Sequence, residues 1–258
     1  MSESSQARRL PVVLAILVFM LLSLPSEPSS FGAGENQKGG RPGQGAHQVV
    51  ERYRKAWEDS LTNFALDAVG RWVKDLVSED ISTRTDAIKQ LKASVGLDFG
   101  FKPEAAVDQR RKAQRMWQGY ARNLEVAIRE KVPKLLEMPT DRNWHPRAMA
   151  AIFLGEEAPN PIFLPLLRRV VADPQNRLFV RSKALTSITQ IPHEGLMEYL
   201  IRQLDTDLAP RAAEQFRKLT DWAAPWDKDY EKLKKKLEKW WAENKTTFEY
   251  VRMRAMFE

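Results

Sequence analysis

The sequence predicts an all-α protein, and three observations carry that expectation. Apolar residues recur three and four positions apart over long stretches. Prolines fall between those stretches or at their starts. No segment alternates apolar and polar residues as a half-buried strand does. The 258 residues are 43% hydrophobic, enough for a sizeable core. There is no cysteine, which excludes a disulfide framework, cysteine-ligated zinc, a thiol nucleophile and a lipid-bearing cysteine.

Residues 1–33 read as a signal peptide or N-terminal membrane anchor. Arg8 and Arg9 precede an apolar run from Leu10 to Leu22, extended by Leu24. At roughly 15 residues the run suits a secretory signal better than a spanning helix, which needs about 20. Leu10-Pro11 follows the paired arginine where a twin-arginine signal prefers Phe-Leu, which favours the ordinary secretory route. No clean small-x-small cleavage triplet appears around Ser26, Ser30 and Ala33, so retention of the segment as an anchor stays open. Either way, the chain after about residue 34 is expected outside the cytoplasm, periplasmic or at the cell surface. Residues 34–48 are expected to be a flexible linker: the stretch GENQKGGRPGQG holds five of the chain's twelve glycines and no large apolar residue.

The helical domain is expected to span residues 49–258. Its first stripe, Val50, Tyr53, Trp57, Leu61, Phe64, Ala68, Trp72 and Leu76, is one face of an amphipathic helix. Ala113, Trp117, Tyr120, Leu124 and Ile128 repeat the arithmetic, as do Tyr230, Leu233, Leu237 and Trp240. A second pattern overlies the first. Arg84-x-x-Ala87-x-x-x-Leu91 returns as Arg147-x-x-Ala150-x-x-x-Leu154 and as Arg181-x-x-Ala184-x-x-x-Ile188, the last two 34 residues apart. A degraded copy starts at Arg211, with Glu214 in place of the small residue. Second stripes lie between the copies, at Phe163, Leu166, Leu167 and Val170, and at Leu196, Leu200 and Leu204. Helix pairs at such a period form an α-solenoid, because one pair cannot bury its own apolar face and must stack on the next. The alanines let helices approach, and each arginine is expected to turn toward carbonyls or an acid of a neighbouring repeat.

The block Arg147 to Gly155, followed by Pro165-Leu166-Leu167, Ala172-Asp173-Pro174 and Val180 to Leu185, resembles consecutive HEAT repeats. The resemblance covers about residues 141–205 well and 70–95 less closely. It implies a right-handed α-solenoid of HEAT-like helix pairs offering a curved surface to proteins. Two further segments look like copies of a tryptophan-containing module found in exported bacterial HEAT-repeat proteins. One, near 99–123, runs from Phe99-Gly100-Phe101 through Trp117 and Tyr120. The other, near 222–248, runs from Ala224-Pro225-Trp226 through Trp240 and Trp241.

Charge supplies the first candidate surface. The formal net charge is +7, and removing residues 1–33 leaves it unchanged because Arg8 and Arg9 cancel Glu3 and Glu27. Arg110, Arg111 and Arg115, with Lys112, form one basic cluster; Lys235 and Lys239, with Lys232, Lys234 and Lys236, form another. They suit an anionic lipid, a polysaccharide or an acidic protein. The plainer reading is that they are the solvated faces of two amphipathic helices, since Asp229, Glu231 and Glu238 interleave with the lysines. Aromatics supply the second. Trp144 and Trp226 fall in expected turns and are candidate partner anchors, whereas Trp240 and Trp241 belong by helical phase to the core. His145 and His193 are expected turn residues with no second ligand at i+4. No HExxH, GxSxG, Walker or EF-hand spacing occurs. No catalytic, cofactor-binding or metal-ligating residue is therefore assigned.

Together these features predict an exported, non-enzymatic scaffold whose partner is an unidentified protein. An anionic surface or polymer is the alternative. The export signal argues against nucleic acid, and membrane contact is expected only through the N-terminal segment.

Overall fold

The stripe that begins at Val50 is helical on both sides of residues 62–65, which lie outside the described residues. In the computed structural model, which describes residues 44–61, 66–95, 97, 99–220, 229–246 and 248, α1 spans Gln44–Leu61 and α2 spans Leu66–Asp75. Phe64 lies outside the described residues, as do the apolar run 10–24, Trp222 and Trp226. Helix α1 starts inside the expected linker and takes in residues 44–48. Once Tyr53 and Trp57 are packed, extending the helix backward adds one hydrogen bond per residue, against about 1 kcal/mol for Gly45. The described residues all belong to one compact unit, Pro42–Glu258.

Helix α3 (Ile81–Val95) opens at Asp80, whose carboxylate accepts from the Thr83 hydroxyl (2.7 Å) and from the backbone N–H of Thr83 (3.0 Å) and Ser82 (3.1 Å); these bonds, the hydroxyl's foremost, hold its pKa below the usual carboxylate range. Helix α4 runs Val107–Val126, passes through a π-helical stretch, Ala127–Lys131, and ends with Val132–Leu136. The sequence treats Pro133 as a boundary, but the chain stays helical across it. A proline lacks the N–H and collides with the carbonyl four residues back. Here the π stretch, in which the Val132 N–H bonds to Ala127 O, loosens the spiral just before the ring.

Five shorter helices and a long last one complete the unit: α5 (Trp144–Glu156), α6 (Leu164–Ala172), α7 (Leu178–Gln190), α8 (Leu196–Gln203), α9 (Ala209–Thr220) and α10 (Tyr230–Asn244). No strand occurs among the described residues. Trp144 and His145, expected in a turn, are the first two residues of α5.

Mostly, helices near in sequence are neighbours in space. Helix α2 packs on α3 and α4, the end of α4 on α5, α7 on α5, α6 and α9, and α8 on α9 and α10. The core runs through all of them, with Leu91, Trp117, Leu154, Leu166, Ile188, Phe216 and Leu233 enclosed. Helices α5 and α7 approach closely at Gly155. A Cβ there would lie 2.5 Å from the Ser187 Cα, so only glycine permits that approach. Ala87, Ala150 and Ala184 are buried.

Helix α1 departs from this order. It packs over α6 and the end of α4, far along the chain, where Trp57 stacks on Phe163 with centroids 5.8 Å apart.

Candidate functional site

Each repeat arginine turns inward and reaches in two directions. Arg84 donates from Nη1 to Ser78 O (2.6 Å) and Glu79 O (2.8 Å) behind it, and from Nε to Pro103 O (2.7 Å) ahead. Arg147, with no exposed surface, donates from Nη1 to the carbonyls of Lys134, Leu135 and Glu137, at the end of α4, and from Nε to Asn176 Oδ1 (3.1 Å) in the next turn. Arg181 donates to Val171 O (2.8 Å) at the end of α6 and reaches forward to the Asp207 carboxylate (2.6 Å). Helix C-termini leave their last carbonyls unpaired and carry negative partial charge, so a guanidinium is their natural cap. In the degraded copy, Arg211 reaches back to Ser182 Oγ (3.0 Å) and pairs with Glu214, the residue that replaced the small one.

At Arg147 the hook is also the anchor of α1. Asn176, which accepts from Arg147, donates from Nδ2 to Tyr53 Oη (2.9 Å), and Tyr53 donates to Asp173 Oδ2 (2.5 Å). Burial and the neighbouring Asp173 carboxylate push the Tyr53 phenol well above its ordinary pKa, so it stays a neutral donor. Burial draws the Arg147 pKa down, while Tyr53 and Asp173 oppose the shift.

The basic residues singled out in the sequence divide sharply. Arg110 is half-buried and donates from Nη1 to Ser78 O (3.1 Å), the same carbonyl that Arg84 holds, so it fastens α4 to the turn after α2 and is not part of a free surface. Arg111 and Arg115 are exposed one turn apart on α4, and among the described residues neither has an ion-pair partner. On α10, Lys235 is paired with Glu231 (2.8 Å), which raises its pKa, Lys232 with Asp229 (3.2 Å), and Lys234 with Asp205. Lys239 is exposed. Among the described residues, no hydrogen bond, ion pair or ring contact joins Arg110, Arg111 and Arg115 of α4, Trp144, and Lys235 and Lys239 of α10 to one another.

Trp144 lies in a different setting, one the sequence did not reveal. It is half-buried and meets Phe179 of α7 edge-to-face at 5.7 Å. Arg177 lies over the Trp144 ring at 5.4 Å and Lys183 over the Phe179 ring at 5.3 Å. On the same two helices, Phe179 is 49% exposed, Leu178 52% and Met149 50%. The 34-residue offset that carries Arg147 onto Arg181 carries His145 onto Phe179 and Met149 onto Lys183, so these residues occupy equivalent outward positions on two packed helices. Helical phase was the available signal: with Val180, Ala184 and Ile188 in the core, Phe179 and Lys183 must sit to one side of it.

The closing aromatics at the C-terminal end are only half-buried. Trp240 touches Phe216, Trp241 and Phe248, and Trp241 donates from Nε1 to Glu198 Oε1 (2.6 Å). Nearby, burial and, less strongly, Arg168 bring the His193 pKa down to about 4. Its Nδ1 lies 2.8 Å from Ile191 O, which only a protonated Nδ1 can satisfy.

Among the described residues no group of three His, Asp or Glu side chains is disposed to hold a metal ion, and no helix is long and apolar enough to cross a membrane. No family model, curated protein or solved structure matches this chain.

Proposed function

We propose that the chain is an exported, non-enzymatic scaffold that binds another protein through a helical-repeat surface. In this reading the helices form a right-handed α-solenoid of HEAT-like pairs, with α1 folded back as a cover over Phe163. The recurring two-way reach of Arg84, Arg147 and Arg181 supports such an array, since each one ties a helix to the element before it and the turn after it. Residues 1–33 supply the export signal.

One observation carries the binding role: Met149 on α5 and Leu178 and Phe179 on α7 leave about half their surface in water, on the two packed helices where Phe179 meets Trp144. Single exposed apolar residues are ordinary, but a group held on two adjoining helices suits a partner surface. Phe179 is already fixed by Trp144 and Lys183, so docking on it costs little side-chain entropy. The test is capture from an envelope extract with the wild-type chain and with Phe179→Asp, read by mass spectrometry. A defined protein retained by the first and lost by the second supports the scaffold. Equal capture, or none, contradicts it.

A second reading rests on Arg111 and Arg115, exposed on α4 and without a carboxylate partner among the described residues. They favour an anionic surface or polymer, and α10 contributes less because Lys232, Lys234 and Lys235 already have acids. Sedimentation with anionic vesicles, lost on charge reversal at both arginines and weakened by salt, would support it.

A further inference from the structure

Resting on the scaffold reading, we infer that the exposed apolar residues of α5 and α7, centred on the Trp144–Phe179 pair, take an acidic peptide segment carrying apolar anchors. The charge at the pair is net positive. Arg177 lies over the Trp144 ring and holds the Asp141 carboxylate through Nε (3.1 Å) and Nη2 (2.8 Å), and Lys183 lies over the Phe179 ring. Among the described residues Lys183 has no carboxylate partner. An Asp or Glu on the incoming segment therefore meets a cation whose charge is not yet balanced, next to a ring on which an apolar side chain can lie.

The two kinds of contact have different work. Exposed ion pairs contribute about 0.2–1 kcal/mol each, so the anchors on Phe179, Leu178 and Met149 supply most of the affinity. The cations select the partner, rejecting basic segments and raising the association rate for acidic ones.

Other occupants fit less well. A second copy of the chain brings a net charge of +7 toward cations. An anionic lipid surface suits the charge, but Trp144 and Phe179 are locked edge-to-face at 5.7 Å, and Trp144 is half-buried, so the pair is not free to swing outward and insert.

The experiment is selection of a phage-displayed random peptide library on the full chain. Binding of the most enriched sequence, as a labelled synthetic peptide, is then measured by fluorescence anisotropy. Enriched peptides are expected to combine Phe, Leu, Met or Trp with Asp or Glu. Affinity should fall about tenfold with Phe179→Ala, the loss typical of an anchor contact, and several-fold with Lys183→Glu, with unchanged far-UV spectra. Peptides lacking acids, or binding indifferent to Phe179→Ala, overturn the inference while leaving a scaffold with its site elsewhere. Failure to enrich any peptide overturns it as well, and the capture experiment above then decides whether the scaffold reading falls with it. Anionic-vesicle binding or self-association that disappears in Phe179→Ala overturns it in favour of a lipid surface or a second copy.

Discussion

Helices α4 and α10 look alike as sequence and behave differently as structure. Each is basic, and each carries tryptophan on an apolar stripe. In α4, Trp117 is fully enclosed, with Phe99 edge-on at 4.7 Å, and Arg110 turns inward to fasten the turn after α2. In α10, Trp240 and Trp241 remain half-exposed, and three lysines bind carboxylates at 3.2 Å or less. The difference lies in the acids. Asp229 and Glu231 stand three and four residues before Lys232 and Lys235, where helix geometry makes pairs. Arg115 has no acid within a turn, and Asp108, three before Arg111, does not pair with it. A basic run becomes a usable surface only where neighbouring residues leave its charge unanswered.

The largest effect that sharpens this comparison is on stability. Trp117→Ala should cost about 3–5 kcal/mol, as removal of a buried aromatic does, and Trp240→Ala about half as much, measured by urea denaturation. Equal losses would mean that Trp117 and Trp240 contribute alike to the core despite their different burial. The half-exposed pair also tests how the closing end responds to acid. His193, close to Glu198 and so to Trp241, has a folded pKa of about 4 against 6.5 for the free side chain. Its folded pKa is depressed, so the stability it contributes is fully present above pH 6.5 and declines as pH falls toward 4. The loss is up to about 3 kcal/mol, and His193→Gln should flatten that part of the denaturation profile.

A smaller effect separates the two sets of cations. Arg110→Met should cost about 1–2 kcal/mol, because Arg84 alone then serves the Ser78 carbonyl and the hook from α4 is lost. Lys235→Met, in which a solvated ion pair disappears, should leave the urea midpoint unchanged. The smallest effect is on α4's outer face: Arg111→Glu with Arg115→Glu should not move the midpoint, so any loss of binding in that variant reports on the surface and not on folding.

Much of the helix content was legible because a 3.6-residue period leaves a repeated mark. Trp117, Tyr120, Leu124, Leu166, Leu167 and Leu200 are all buried where their spacing puts them. The arginine pattern was legible too, along with the expectation that each would seek carbonyls or an acid, though not which ones. Other features depend on distances that periodicity does not encode. Gly155 matters because of Ser187, thirty-two residues on, and the return of α1 depends on Tyr53 finding Asn176 and Asp173. Pro133 shows local reasoning defeated by a π turn. The candidate surface was half legible: Trp144 stood out by residue type, but Phe179 became visible only once α5 and α7 lay side by side. Trp226 lies outside the described residues.

The claim that a protein partner is held on the α5–α7 face can be tested by photo-cross-linking. A photoreactive residue would be placed in turn at 179, 111 and 235 of the full chain and irradiated in envelope extract, with adducts identified by mass spectrometry. The account predicts a defined protein adduct from 179 and none from 235. Adducts of the same protein from 111 or 235 but not from 179 would contradict it.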